Sequence, residues 1–167
     1  MQRGRKSIRL PGFDYTQAGA YFVTICVNRR LCLLGKILKG SVQLTPRGDI
    51  AERSWVLTQD HFINNVWIDS HITMPNHVHA VIMIQSARRG GVTPPLQKTP
   101  SLGDIVAFYK YRSTKQINHL SNSPGVRFWQ RNYHDHIIRN EGDLNHHRKY
   151  ILENPLNWSL DRYFTPV

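Results

Sequence analysis

Cysteine is scarce in this chain. Cys26 and Cys32 are the only two, and they do not form a Cys-x-x-Cys pair. A disulfide framework and a thiolate zinc site are therefore excluded as organising features. Long apolar runs are missing too. The longest stretches, residues 80–84 and 21–23, fall far short of the roughly 18 residues that a membrane span needs. The opening MQRGRKSIRLPG is basic with no apolar run behind it, so no secretory signal, no membrane partner and a cytoplasmic location are expected. Acidic residues are the third shortage. Eleven Asp+Glu face 22 Lys+Arg, which leaves a formal net charge of +11 with His neutral.

What is present fits one domain with a real core. The chain has 167 residues, 40% of them hydrophobic, including four Trp, seven Tyr and six Phe. That composition is too apolar for a disordered basic tail. A charge of this size on a compact domain points to a polyanion. Nucleic acid is the leading candidate, ahead of an acidic membrane surface. Charge alone does not separate a binder from an enzyme.

Residues 1–18 read as a basic arm broken at Pro11-Gly12, leaving 19–167 as a single domain. Residues 20–27 (AYFVTICV) are β-branched and aromatic and read as a strand covered on both faces. Residues 31–38 read as its hairpin partner, followed by a Lys39-Gly40 turn and a short strand over 41–44. Thr45-Pro46 supplies an N-cap and a first-turn proline for a helix to about residue 59. Two further strands are expected over 66–74 and 76–84, then a Gly/Pro-rich basic loop over 86–100. Ser101 and Asp104 resemble a capping box. The helix behind them has Leu102, Ile105, Val106 and Tyr109 at helical spacing. A strand around 133–138 and a helix capped by Asn140 and closed by Asn154-Pro155 follow. Interspersed strands and helices with short links predict an α+β fold, an antiparallel sheet of ferredoxin-like or RRM-like arrangement.

The sharpest local feature is Met74-Pro75-Asn76-His77-Val78-His79. Alternate residues of a strand share a face. His77 and His79 therefore point one way, roughly 6.5–7 Å apart at Cα, while Val78, Ala80, Ile82 and Ile84 point the other way into a core. That spacing lets both rings converge on one metal ion. It also arises when two histidines merely share a sheet face. His134-Asp135-His136 has the same spacing in a more polar context, and there a structural or substrate-contact role is expected. In the last helix Tyr150 and Asn154 are four apart and share a face. They can meet the histidine face, with Asn154 offering a neutral oxygen suited to Mg²⁺ or Mn²⁺. They also read as a core aromatic and a C-cap. His146 and His147 each stand where they could hydrogen-bond the Tyr150 phenol.

These residues, with Leu44-Thr45-Pro46-x-Gly48, the run Trp129–Tyr133, His136–Asn140 and Tyr150-Ile151-x-x-Asn154-Pro155-x-x-Trp158, occur in an order that resembles the single-tyrosine HUH (IS200-like) transposases, most closely the REP-associated tyrosine transposases. The resemblance spans roughly residues 10–160. It implies that His77 and His79 are metal ligands, that Asn154 is the third protein ligand and that Tyr150 is the nucleophile. It also implies a C-terminal catalytic helix packed against the strand of His77 and His79, with the other helices on one face of the sheet.

The activity so implied is cleavage and rejoining of single-stranded DNA near hairpins through a 5′-phosphotyrosine, with Mg²⁺ or Mn²⁺ as cofactor. The protein would be a monomer or a homodimer. Arg3, Arg5 and Lys6 in the arm, Arg88 and Arg89 in the loop, and Lys110, Arg112 and Lys115 on a helix are candidate phosphate contacts. Tyr111 is a candidate base-stacking residue. The competing readings are a non-catalytic basic single-strand binder of RRM-like topology and a metal-dependent hydrolase that uses water.

Overall fold

The computed structural model describes residues 10–85 and 99–165. Its central sheet takes strands β1 (Gly19–Cys26), β4 (Val66–Thr73), β5 (His77–Ile84) and β6 (His134–Ile138), in the order β4-β5-β1-β6 with every pair antiparallel. Helix α1 (Pro46–His61) precedes β4, and helix α2 (Leu102–Leu120) precedes β6. This is the β-α-β-β-α-β pattern of the ferredoxin-like fold. The expected α+β architecture is the observed one.

Alternation along the strands builds the core. Tyr21, Val23 and Ile25 of β1 and Val78, Ala80, Ile82 and Ile84 of β5 are buried together. They meet Ala51 and Trp55 of α1 and Leu102, Ile105, Val106 and Tyr109 of α2. Tyr109 stacks on Trp55 at 3.9 Å between ring centres, and its hydroxyl donates to the Ala51 carbonyl at 3.0 Å. Burying each such side chain contributes about 1.5–3 kcal/mol. The helix starts expected from the sequence are present. Thr45 caps α1 by accepting from Gly48 N–H, and Ser101 with Asp104 forms a full capping box on α2.

The segment 31–38 does not pair with β1 as expected. β2 (Gly35–Leu38) and β3 (Ser41–Leu44) form a separate two-stranded ribbon. After β1 the chain bends away through a short 3₁₀ turn, Asn28–Arg30, in which Arg29 and Arg30 have φ of 57° and 55°. The ribbon's own turn is the expected Lys39-Gly40, both at positive φ. The motif Leu44-Thr45-Pro46-x-Gly48 ties this ribbon to α1. Thr45 Oγ1 donates to the Leu33 carbonyl at 2.7 Å. A Cβ on Gly48 would fall 1.9 Å from the Leu34 carbonyl oxygen, so only glycine fits.

Helix α3 (Glu141–Glu153) lies across the other face of the sheet, against β4 and β5. Asn140 caps it by accepting from Asp143 N–H at 2.9 Å. Of its residues, Ile151 is the buried one. The arm contacts Arg3, Arg5 and Lys6 and the loop contacts Arg88 and Arg89 lie outside the described residues. Among the described residues, no helix is long and apolar enough to cross a membrane.

Candidate active site

Strand register places the two His-x-His pairs on one face of the sheet. Thr24 stands opposite His79 on β5 and opposite His134 on β6, while Cys26 faces His77 and Phe22 faces His136. α3 covers this face at His79, through Tyr150, and Trp158 and Tyr163 beyond the helix pack on His77, so the two histidines are 0% (His77) and 1% (His79) exposed. Their Nε2 atoms lie 2.9 Å apart. Asn76 orients the first ring. Its Nδ2 donates to the carbonyls of Tyr163 (2.8 Å) and Arg30 (3.2 Å) and to Thr165 Oγ1 (3.2 Å). Its Oδ1 is thereby turned toward His77 Nδ1 at 2.8 Å. Nδ1 of His77 donates, and Nε2 keeps the lone pair. Thr24 Oγ1 holds His79 Nδ1 at 2.8 Å. Burial first, then the nearby Arg30 and Arg162, push His77 down to about 3. Burial first, then His77, also lowers His79 well below its ordinary value. Both rings are neutral at pH 7, the form that ligates metal.

Tyr150 comes to this pair from α3, and Asn154, one turn further on, joins it through Asp161, a packing that the spacing allowed and the resemblance implied. The Tyr150 ring packs edge-on to His79 at 5.2 Å. Its hydroxyl donates not to His146 or His147 but to Asp161 Oδ2, at 3.1 Å. Asn154 Nδ2 donates to the same oxygen at 2.8 Å. Burial first, then the Asp161 charge, raises the Tyr150 phenol to about 12. Asp161 is held by the Tyr163 N–H, which donates to its Oδ1 at 2.6 Å.

Asp161 has no forerunner in the sequence reading. Together with His77 and His79 it offers one ligand atom per residue, all within 4.8 Å of one another. Asn154 is buried, and its Oδ1 has no hydrogen-bond partner. An orphaned buried carbonyl costs about 1–3 kcal/mol. Two neutral imidazoles, a carboxylate and an unpaired amide oxygen are a donor set that fits a divalent ion. Adjacent corners of an octahedron with bonds of about 2.1 Å stand about 3 Å apart, close to the spacing of the two ring nitrogens.

A cavity of about 340 Å³ opens beside this cluster, lined by Phe22, Thr24, His79, Tyr150, Arg162 and Tyr163 and by His134, Asp135, His136, His146 and His147. The Arg30 and Arg162 guanidiniums lie over the Tyr163 ring, 5.3 and 4.7 Å from its centre. Neither arginine was singled out by spacing, because each reaches the site from a turn.

Of the helix cations, Lys110 is not free. Its Nζ donates to the Gln130 and Arg131 carbonyls at 2.6 and 3.0 Å, and partial burial lowers it to about 8. Tyr111 (62% exposed) and Lys115 line a separate groove of about 400 Å³ with Arg127, Trp129 and Arg131. Arg112 is not among the residues lining that groove. A third cleft, lined by Thr24, Cys26, Asn132, Tyr133, His134, Gln130 and Arg131, lies between groove and cavity and shares residues with both.

No protein-family model matches the chain. An uncharacterized protein of Haemophilus influenzae is 34% identical over 170 residues, spanning 96% of this chain and 93% of that protein. The two belong to one family. Among solved structures, the REP-associated tyrosine transposase bound to a REP hairpin superposes with a TM-score of 0.54 at 20% identity, over 99% of this chain and 89% of that one. The chain has the fold of that transposase. A candidate transposase from Deinococcus radiodurans gives a TM-score of 0.45 at 19% identity, over 93% of this chain and 98% of that one.

Proposed function

We propose that this protein is a metal-dependent single-strand DNA endonuclease and transposase, with Tyr150 as nucleophile and DNA carrying a hairpin as substrate. The observation that carries the reading is the meeting of Tyr150, Asn154, His77 and His79 around Asp161 on one buried sheet face. The REP-associated transposase of the same fold is bound to a hairpin, which supports a hairpin as the element recognised. The basic groove at Tyr111 and Lys115, joined to the cavity by the intervening cleft, suits a single strand with stacked bases.

His77, His79, Asp161 and Asn154 Oδ1 are the groups that would hold Mg²⁺ or Mn²⁺. When bound there, the ion supplies positive charge to a phosphoryl oxygen and favours the phenolate. The chain's own groups do the rest. Tyr150 Oη forms a bond to the scissile phosphorus, and the bond from phosphorus to the 3′ oxygen breaks. The products are a 5′-phosphotyrosine and a strand that takes a proton to end in 3′-OH. Asp161, already accepting from the phenol, is the nearest acceptor for the proton that Tyr150 gives up. Because the phosphotyrosine keeps the phosphodiester energy, attack by a 3′-OH rejoins strands without ATP. Arg162 stands at the cavity wall, where it meets an incoming phosphate.

The test is incubation with a labelled single strand bearing a hairpin, with Mn²⁺ or Mg²⁺ present. Wild type forms a covalent protein–DNA adduct. Tyr150→Phe forms none, yet retains hairpin binding. Cleavage surviving in Tyr150→Phe would mean that water is the nucleophile. Absence of both cleavage and adduct in wild type would leave a hairpin-binding protein.

A further inference from the structure

Helix α3 brings in the proposed nucleophile, yet Ile151 is its one buried residue. Polar contacts hold it to the sheet at both edges. Toward β4, Arg148 Nε donates to Asp69 Oδ2 at 2.8 Å. Toward β6, His136 of that strand meets Asp143 and His147 of the helix. We propose that His136, Asp143 and His147 form a second divalent-metal site, of the zinc class, that pins the first turns of α3 to the edge strand β6.

The geometry argues for it. Asp143 and His147 are four apart, hence neighbours on one helix face. His136 Nε2 lies 2.9 Å from Asp143 Oδ2, and His147 Nδ1 lies 3.2 Å from Asp143 Oδ1. Ligands of a tetrahedral zinc with bonds of about 2.0–2.1 Å stand about 3.3 Å apart, so little movement is needed. Two imidazoles and a carboxylate are zinc donors, and the half-exposed His136 leaves a fourth position to water. The ligands are also oriented from behind. The Arg139 N–H donates to Asp143 Oδ2 at 3.2 Å. The His136 and His147 rings stack at 4.7 Å, and His147 packs on Phe22 at 4.5 Å.

Without an ion, His147 Nδ1 carries a proton and donates to the Asp143 carbonyl at 2.9 Å. Moving that proton to Nε2 frees the Nδ1 lone pair, and the equivalent shift in His136 frees its Nε2. Neither shift changes net charge. Phe22 separates this cluster from the first, its ring lying 5.1 Å from that of His79. An ion bound only by the docked helix stabilises docking by mass action.

The test is Zn²⁺ titration of the full chain without DNA, read by native mass spectrometry. His136→Ala is the main variant, because that side chain is half exposed and the fold does not rest on it. Wild type should bind one more Zn²⁺ per chain than His136→Ala, and Zn²⁺ should raise the melting temperature less in the variant. In a His77→Gln/His79→Gln background one Zn²⁺ should remain, and adding His136→Ala should remove it. Equal stoichiometry and equal Zn²⁺ affinity in wild type and His136→Ala would overturn the proposal. Because no DNA enters the measurement, that result would leave the cleavage reading standing, and failure of cleavage would not touch this one.

Discussion

The two His-x-His pairs have the same spacing and point to the same sheet face, yet they are chemically unlike. His77-Val78-His79 sits in β5, an interior strand, with both rings buried beneath α3 and the residues that follow it. His134-Asp135-His136 sits in β6 at the sheet edge, and the His136 side chain is 51% exposed. Spacing selects the face. Position in the sheet sets burial, and burial sets protonation and ligand character. At the interior pair the two ring nitrogens face each other at 2.9 Å, out of reach of solvent. At the edge pair both rings stay in reach of solvent, and His136 borrows a carboxylate, Asp143, from the helix.

Mutation should separate the pairs most sharply. On the proposed function His79→Ala removes a metal ligand, and loss of several kcal/mol of transition-state stabilisation should lower cleavage by on the order of a thousandfold. His136→Ala loosens only the seating of α3, and should cost less than about tenfold. Single-turnover cleavage of a labelled strand measures both. Comparable losses would erase the distinction drawn between interior and edge.

A subtler variant probes the support of the interior pair. Thr24→Val keeps the shape beneath His79 but removes the oxygen at 2.8 Å from its Nδ1. Outer partners of metal-bound histidine are worth about 10–100-fold in metal affinity. Mn²⁺ affinity should fall by that range, with the fold retained by circular dichroism.

Much of this was legible in the sequence, for stated reasons. The α2 stripe, the capping box at Ser101 and Asp104 and the faces of β5 follow from local periodicity. That His77 and His79 share a face follows from the strand period of 2.0, and that Tyr150 and Asn154 share one follows from the helix period of 3.6; that the two faces meet is implied by the family resemblance and not by either period. Residues 31–38 were misassigned because Arg29 and Arg30 take left-handed backbone, which no glycine or asparagine at those positions announces. Lys110 counts as one more cation in the sequence, but two loop carbonyls claim its ammonium. Asp161 lies eleven residues beyond Tyr150, past a helix end and a short 3₁₀ turn, where no periodicity carries. Thr24 could have been found from register, since it faces His79 once β1 and β5 are aligned.

Acid should also distinguish the interior pair. His77 has an ordinary value of 6.5 and is lowered in the fold to about 3, chiefly by burial. Between those values the unfolded chain takes up a proton that folded His77 refuses. Stability from this group is therefore complete above about pH 6.5 and is lost as pH falls toward 3, at about 1.4 kcal/mol per pH unit. His79 adds in the same direction. Urea unfolding at pH 7, 6 and 5 should show that slope, and His77→Gln should flatten it. An unchanged slope in the variant would mean that His77 is not buried neutral.

The smallest effect belongs to the opposite edge of α3, where Arg148 pairs with Asp69 of β4. The Arg148 side chain is 43% exposed and that of Asp69 only 11%, so solvent screens one partner more than the other. An ion pair with its cation in water contributes little to stability. Arg148→Ala should therefore lower the unfolding free energy only slightly. Its signature is salt dependence: the gap from wild type should narrow as ionic strength rises, because screening weakens what the variant lacks. Zn²⁺ should leave that gap unchanged, since Arg148 is not part of the cluster at β6. If Arg148→Ala instead destabilised the protein by several kcal/mol, α3 would be anchored mainly at the β4 edge, and the β6 cluster would be the lesser of the two contacts.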